Sequence, residues 1–213
     1  MKSTLLRLLT VVMLLVSSGC AHQILVSPNP AASTATGEKL PLNVGLYMSD
    51  AFRNYQVSES RMGDSWQYTN LGQASAQQIR AGLEQRFQTV TLLQSRAISQ
   101  ANPQPVMVVE PEIQSFTFDI PITKFQVYPA TIRFKVSVIG TSGEVIYSNT
   151  TSGVGDTSGS PGFDFAANPA RSATKAVEVG INDLLNDLAK SPAVQKLLQA
   201  PKTSPAVGTS RVL

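Results

Sequence analysis

Few side chains in this chain could do covalent or proton chemistry. The sequence holds one cysteine, Cys20, and one histidine, His22, close together near its start. A Ser-His-Asp or Cys-His system needs a histidine base held beside its nucleophile, which a histidine on a mobile N-terminal segment does not supply. Zinc and copper sites fail on the same count, since no cluster of His and Cys follows. Carboxylates remain: Glu110 and Glu112 lie two apart on an expected strand, so they share a face, and Asp119 is near. Such a pair could serve as acid and base in glycoside cleavage, but a solvated sheet face explains it more simply. Asp156, Asp164 and Glu144 match no calcium-loop spacing. Gly153-Val154-Gly155 has its third glycine misplaced, is followed by no Lys-Ser or Lys-Thr of a phosphate loop, and is expected to leave an antiparallel hairpin. Its glycines are expected to serve loop conformations with positive φ. No catalytic residue, metal or cofactor is therefore assigned. Trp66 and Tyr68 stand in a stretch, 60–70, that reads as a loop. They are the amphipathic aromatics best suited to contact a partner or stack on a sugar; the alternative is that they fold back over a sheet edge.

Cys20 has a stronger context. Lys2 and Arg7 flank a short basic start, and the run from Leu8 to Val16 is apolar and uncharged before small residues follow, which is the order of a secretory signal peptide. The run is about half the ~20 residues of a spanning helix. Ser17-Ser18-Gly19-Cys20 then resembles the lipobox of bacterial lipoproteins, with Ser17 where the family usually has Leu. The resemblance implies cleavage after residue 19 and acylation of Cys20, and two or three acyl chains hold a protein stably on a membrane. An exported chain with a single cysteine has no internal disulfide partner for it, which agrees with that fate. Ala21, by resemblance to the sorting rule in which Asp at this place retains a lipoprotein at the inner membrane, implies the periplasmic face of the outer membrane. The whole chain carries 17 Lys and Arg against 14 acidic residues; cleavage would take Lys2 and Arg7 and leave 15 against 14, a net +1. No basic cluster survives in the mature part, so nucleic acid is not an expected partner.

The positions of these residues depend on the elements that carry them. Residues 20–41 are rich in Ser, Thr, Ala, Asn and Pro and read as a lipidated flexible tether. Residues 42–199 read as a single domain and 200–213 as a disordered tail. Within the domain, 42–48 suits a half-buried strand and 52–57 a short extended run. Ala76, Ile79, Leu83 and Phe87 recur at helical spacing, so 71–87 is an amphipathic helix. Short and long strands follow at 90–93 and 106–118, the latter bulged near Pro111. Residues 132–138 alternate apolar and polar without error and pair through a turn at 141–144 with 145–151, a β-hairpin with one wet face. After a Gly-rich stretch, 153–162, Asn168-Pro169 opens a second helix whose stripe is Ala173, Val177, Ile181, Leu184 and Leu188. The expected class is α+β, with two helices packed on one face of a mostly antiparallel sheet.

That element order behind an export segment resembles small periplasmic lipoproteins of the YajG-like kind, and more loosely the TolB amino-terminal type of domain. The resemblance includes no functional motif. The expected role is that of a lipid-anchored accessory or scaffold protein, not an enzyme, that binds another envelope protein. The alternatives are a module for a small envelope ligand (lipid, glycan or peptidoglycan fragment) held between helices and sheet, and a carboxylate hydrolase. A pore is disfavoured, because the alternating strands are few and interrupted by Pro111, Pro121 and Pro129.

Overall fold

The perfect alternation of residues 132–138 becomes the spine of the larger sheet. In a computed structural model that describes residues 21–29, 38–61, 63–98, 103–120, 128–157 and 167–200, strand β7 (Ala130–Ile139) buries Ile132, Phe134, Val136 and Val138 and leaves Arg133 in solvent. It turns through Gly143, whose φ of +90° favours glycine, into β8 (Val145–Gly155). The expected bulge in β6 (Met107–Phe118) falls between Ile113 and Ser115, not at Pro111. Strand β2 (Leu40–Tyr47) pairs with β6 only over Met107 to Val109. Pro111 therefore comes where that neighbour has ended, and its missing N–H is accommodated as it is on an edge strand.

With β5 (Phe87–Leu93) the five strands run β5-β2-β6-β7-β8. Pairs on the β5 side of β6 are parallel and those on the β7 side antiparallel. A parallel connection needs a crossover, and the helix α2 (Leu71–Arg86) supplies part of it between β2 and β5. Helix α2 and the long α3 (Ala167–Lys190) cover the same face of the sheet, as expected for the α+β class. Val177, Ile181, Leu184, Leu185 and Leu188 of α3 are fully buried, each worth about 1.5–3 kcal/mol against exposure. The opposite face is mostly wet, apart from a small cluster of Leu93, Ile98, Val108 and Ile139 at one end.

A second sheet departs from expectation. Strands β1 (Ala21–Leu25), β3 (Val57–Arg61) and β4 (Asp64–Thr69) form it in the order β1-β4-β3, with β1 and β4 parallel and β3 and β4 antiparallel. Residues 60–70, read as a loop, are thus mostly hairpin. The tether reading of 20–41 fails at its start: residues 21–25 are a strand, and Val26 is fully buried. The short run at 52–57 also differs. Ser49 caps a four-residue helix, α1 (Asp50–Arg53), by accepting from the Phe52 N–H at 3.1 Å. A last helix, α4 (Pro192–Gln199), is capped in the same way by Ser191 and buries Val194. The expected tail beyond residue 200, the expected signal segment and Cys20 lie outside the described residues.

Candidate functional site

The three-stranded sheet gathers the residues singled out by type. Parallel pairing sets His22 beside Trp66 and Ile24 beside Tyr68. The imidazole stacks on the indole with ring centroids 4.3 Å apart and planes 23° apart, and its Nε2 lies 3.2 Å from an Asp64 carboxylate oxygen. Trp66 and Tyr68 are not a contact surface: they are 3% and 1% exposed. The reason is packing. Tyr68 sits between Phe116 and Phe118 at 4.8 and 4.7 Å, and Trp66 meets Phe118 and Tyr128 at 6.0 and 6.5 Å, so the hairpin's inner face joins the main core. Burial holds the Tyr68 hydroxyl well above the usual tyrosine range, with the nearby Glu59 carboxylate adding to the effect. Sequence position alone puts His22 on a mobile segment; the signal that it is held, the pairing of β1 with residues more than forty positions away, is not local.

Beyond β1 the chain passes the residue before α2 and runs onto α3. Asn70 donates from Nδ2 to the Val26 carbonyl at 3.1 Å. The Ser27 and Asn29 backbone N–H groups donate to Thr174 Oγ1 and Glu178 Oε1 of α3 at 3.2 and 2.9 Å. Residues 21–29 are therefore fixed to the domain along their whole length.

The remaining candidates have structural explanations. Gly153 and Gly155 are not loop glycines. They belong to β8, and a Cβ there would stand 1.9 Å from the Ala176 carbonyl oxygen and 2.1 Å from that of Ser172, so they let α3 lie directly on the strand. Two hydrogen bonds tie the seam, from Ser172 Oγ to the Gly155 oxygen at 2.6 Å and from Thr151 Oγ1 to the Gly180 oxygen at 3.1 Å. Glu110 and Glu112 do share a face, the wet one, where Arg96 bonds Glu110 at 2.7 Å and Lys135 lies 3.9 Å from Glu112. Among the described residues no group of three or more His, Cys, Asp or Glu is placed to hold a metal ion. A notch of about 290 Å³ opens where the α1 exit meets the start of α2, lined by Arg53, Asn54, Tyr55, Gln56, Asn70 and Gln73. Asn70 there is the one described non-glycine residue with positive φ, 66°. No sequence signal marked this notch, because its walls come from a turn and a helix start that look like ordinary polar residues.

No family model and no curated protein matches the chain. Among solved structures it is similar to a Xanthomonas campestris protein of the DUF330 family, with TM-score 0.43 and 13% identity over 80% of this chain and 91% of that one. It is also similar to PelC of Paraburkholderia phytofirmans, crystallised as a dodecamer, with TM-score 0.42 and 13% identity over 73% of this chain and 94% of the other. Likenesses at this level bear on neither activity nor partners.

Proposed function

We propose that this chain is a lipid-anchored accessory protein of the bacterial envelope, acylated on Cys20, held at the periplasmic face of the outer membrane and binding another envelope protein. One observation carries the reading: the basic start, apolar run and Ser17-Ser18-Gly19-Cys20 end directly at a folded strand, β1. The anchor proposed is the lipid on Cys20; no helix among the described residues is long and apolar enough to cross a membrane. With Trp66 and Tyr68 buried, the surface proposed for the partner is the outer edge of β8. That strand carries no charged residue, no described strand pairs with its outer side, and Val145, Ile146 and Val154 on it are 60%, 38% and 56% exposed. Such an edge accepts an added strand from a partner.

The test is membrane fractionation with mass measurement of the mature chain. Cys20→Ala is expected to abolish the acyl mass and to release the protein from membranes or stall its maturation; a variant that still matures and sediments with membranes overturns the reading. Crosslinking in intact cells then asks whether one envelope protein is captured through β8. A second reading, a module for a small polar ligand such as a glycan or peptidoglycan fragment, is favoured by the polar notch at Arg53 and Gln73. It moves the site from the helix–sheet interface, which the glycine seam closes, to the surface.

A further inference from the structure

We infer that the domain has no tether and is held edge-on against the bilayer, with the β3–β4 turn and the Phe118 end of the large sheet facing the lipid and the β7–β8 turn pointing away. This rests on the acylation of Cys20 proposed above and adds to it a surface and an orientation.

The argument starts from connectivity. Consecutive Cα atoms are ~3.8 Å apart, so a lipid on Cys20 is attached one residue from Ala21, where β1 begins. A flexible linker of twenty residues would let the domain roam roughly 25 Å from its anchor; here the first nine mature residues after the cysteine are spent on contacts with the domain. Five pair along β4, Ile24 and Val26 are 1% and 0% exposed, and Ser27 and Asn29 are bonded to α3. Detaching them would expose two buried aliphatic side chains and open the His22–Trp66 stack, so the anchor point cannot swing away at low cost.

Register then says which end meets the lipid. Ala21, Ser65 and Ser60 form one row across the small sheet. Trp66 next to that row meets Phe118 and Tyr128, while Tyr68 two residues on sits between Phe116 and Phe118, so moving along β4 away from Ala21 moves back along β6 from its Phe118 end. Phe118 pairs with Ala130, and Ala130 with Gly155. The end that carries the anchor is therefore the end of Arg61, Gly63, Asp119 and Asp156, all exposed. The other end of β7, at Ile139, is nine residues further along, or about 30 Å at the rise of a strand. The β8 edge proposed for the partner would run outward from the membrane along that height.

The test uses the full-length acylated protein, purified in detergent and placed in vesicles of phosphatidylethanolamine and phosphatidylglycerol carrying a quencher on the headgroup. A fluorophore is attached at Ser60→Cys, in the row of Ala21, or at Thr141→Cys, in the β7–β8 turn; both side chains are exposed. Acylated Cys20 has no free thiol to compete. Quenching is expected to be severalfold stronger at position 60 than at 141, and insertion of a ten-residue Gly-Ser segment after Ala21, with Ala21 alone repeated behind it so that β1 stays whole and continuous with Val26, is expected to bring the two together. Equal quenching in protein whose acyl mass is confirmed overturns the orientation and leaves the anchor standing. Loss of the acyl mass overturns the anchor, and the orientation falls with it.

Discussion

Replacing Gly153 by alanine should do more damage than any other single methyl group added to β8. The ideal Cβ lies 1.9 Å from the Ala176 oxygen and 2.4 Å from the Gly180 nitrogen, both helix backbone, so neither can rotate away. Bringing that oxygen contact out to 3.0 Å requires α3 to retreat by 1.1 Å. A gap of that size forfeits about a quarter to a half of each dispersion contact along the seam, where Ala173, Ala176, Val177 and Ile181 are fully buried. Overpacking of this kind costs about 1–3 kcal/mol and sometimes more, and the rigid backbone on both sides puts Gly153→Ala at the upper end, about 3 kcal/mol. With a urea slope near 2 kcal/mol/M, the unfolding midpoint should fall by about 1.5 M. Gly155→Ala needs nearly the same retreat, from 2.1 Å. Once α3 has moved for one alanine the second adds little, so the double variant should cost much less than the sum of the singles. Gly143→Ala is the control: its Cβ meets nothing within 4 Å, and only the positive φ resists it, at about 1 kcal/mol. Urea titrations of the four variants decide the matter, and an unchanged midpoint for Gly153→Ala, or strict additivity in the double variant, would refute the account of α3 lying directly on β8.

Other consequences follow from the small sheet. Trp66→Ala should destabilise the whole domain by about 3–5 kcal/mol, read as a fall in thermal midpoint, because the indole is core and not a partner contact; a variant of native stability that merely lost a partner would restore the contact reading. Tyr68 gives a pH dependence of definite sign. Its folded pKa is raised, so the neutral hydroxyl is favoured in the fold, and stability is intact below the unfolded value of about 10 and declines as pH rises above it. Urea midpoints at pH 9 and pH 11 should fall apart less in Tyr68→Phe than in the natural chain, and an equal fall in both would remove Tyr68 as a contributor.

What could be read from the sequence was what local pattern controls. β7 declared itself because apolar and polar residues alternate from Ile132 to Val138, with every apolar one buried, and α3 because Ala173, Val177, Ile181, Leu184 and Leu188 keep helical spacing. The hairpin β3–β4 escaped because its buried residues are few and a glycine at φ +87° interrupts it, which left Trp66 and Tyr68 standing among polar neighbours like loop residues. Gly153 and Gly155 look alike whether they free a backbone or admit a helix; only the approach of α3, some twenty residues further on, tells which.

The hidden element of greatest consequence is β1. Five residues, Ala21-His22-Gln23-Ile24-Leu25, follow the apolar run and the small residues before Cys20 and precede a stretch holding Pro28 and Pro30, so by composition they belong to a linker. Their strand exists because β4 offers a partner and because Trp66 lies under His22 and the core takes in Ile24. Pairing at that sequence separation carries a loop-closure cost that grows only slowly with length, so a few buried contacts suffice to hold it. The same contacts decide how any group attached at Cys20 relates to the domain. A chain anchored through a free linker samples every orientation over its membrane, while one anchored through β1 presents one end to the lipid and one edge to the periplasm. The proposed partner edge and the proposed anchor are thereby linked mechanically: a substitution that frees β1, such as Ile24→Asn, would leave Cys20 acylated and β8 intact yet lose the fixed height of that edge above the bilayer.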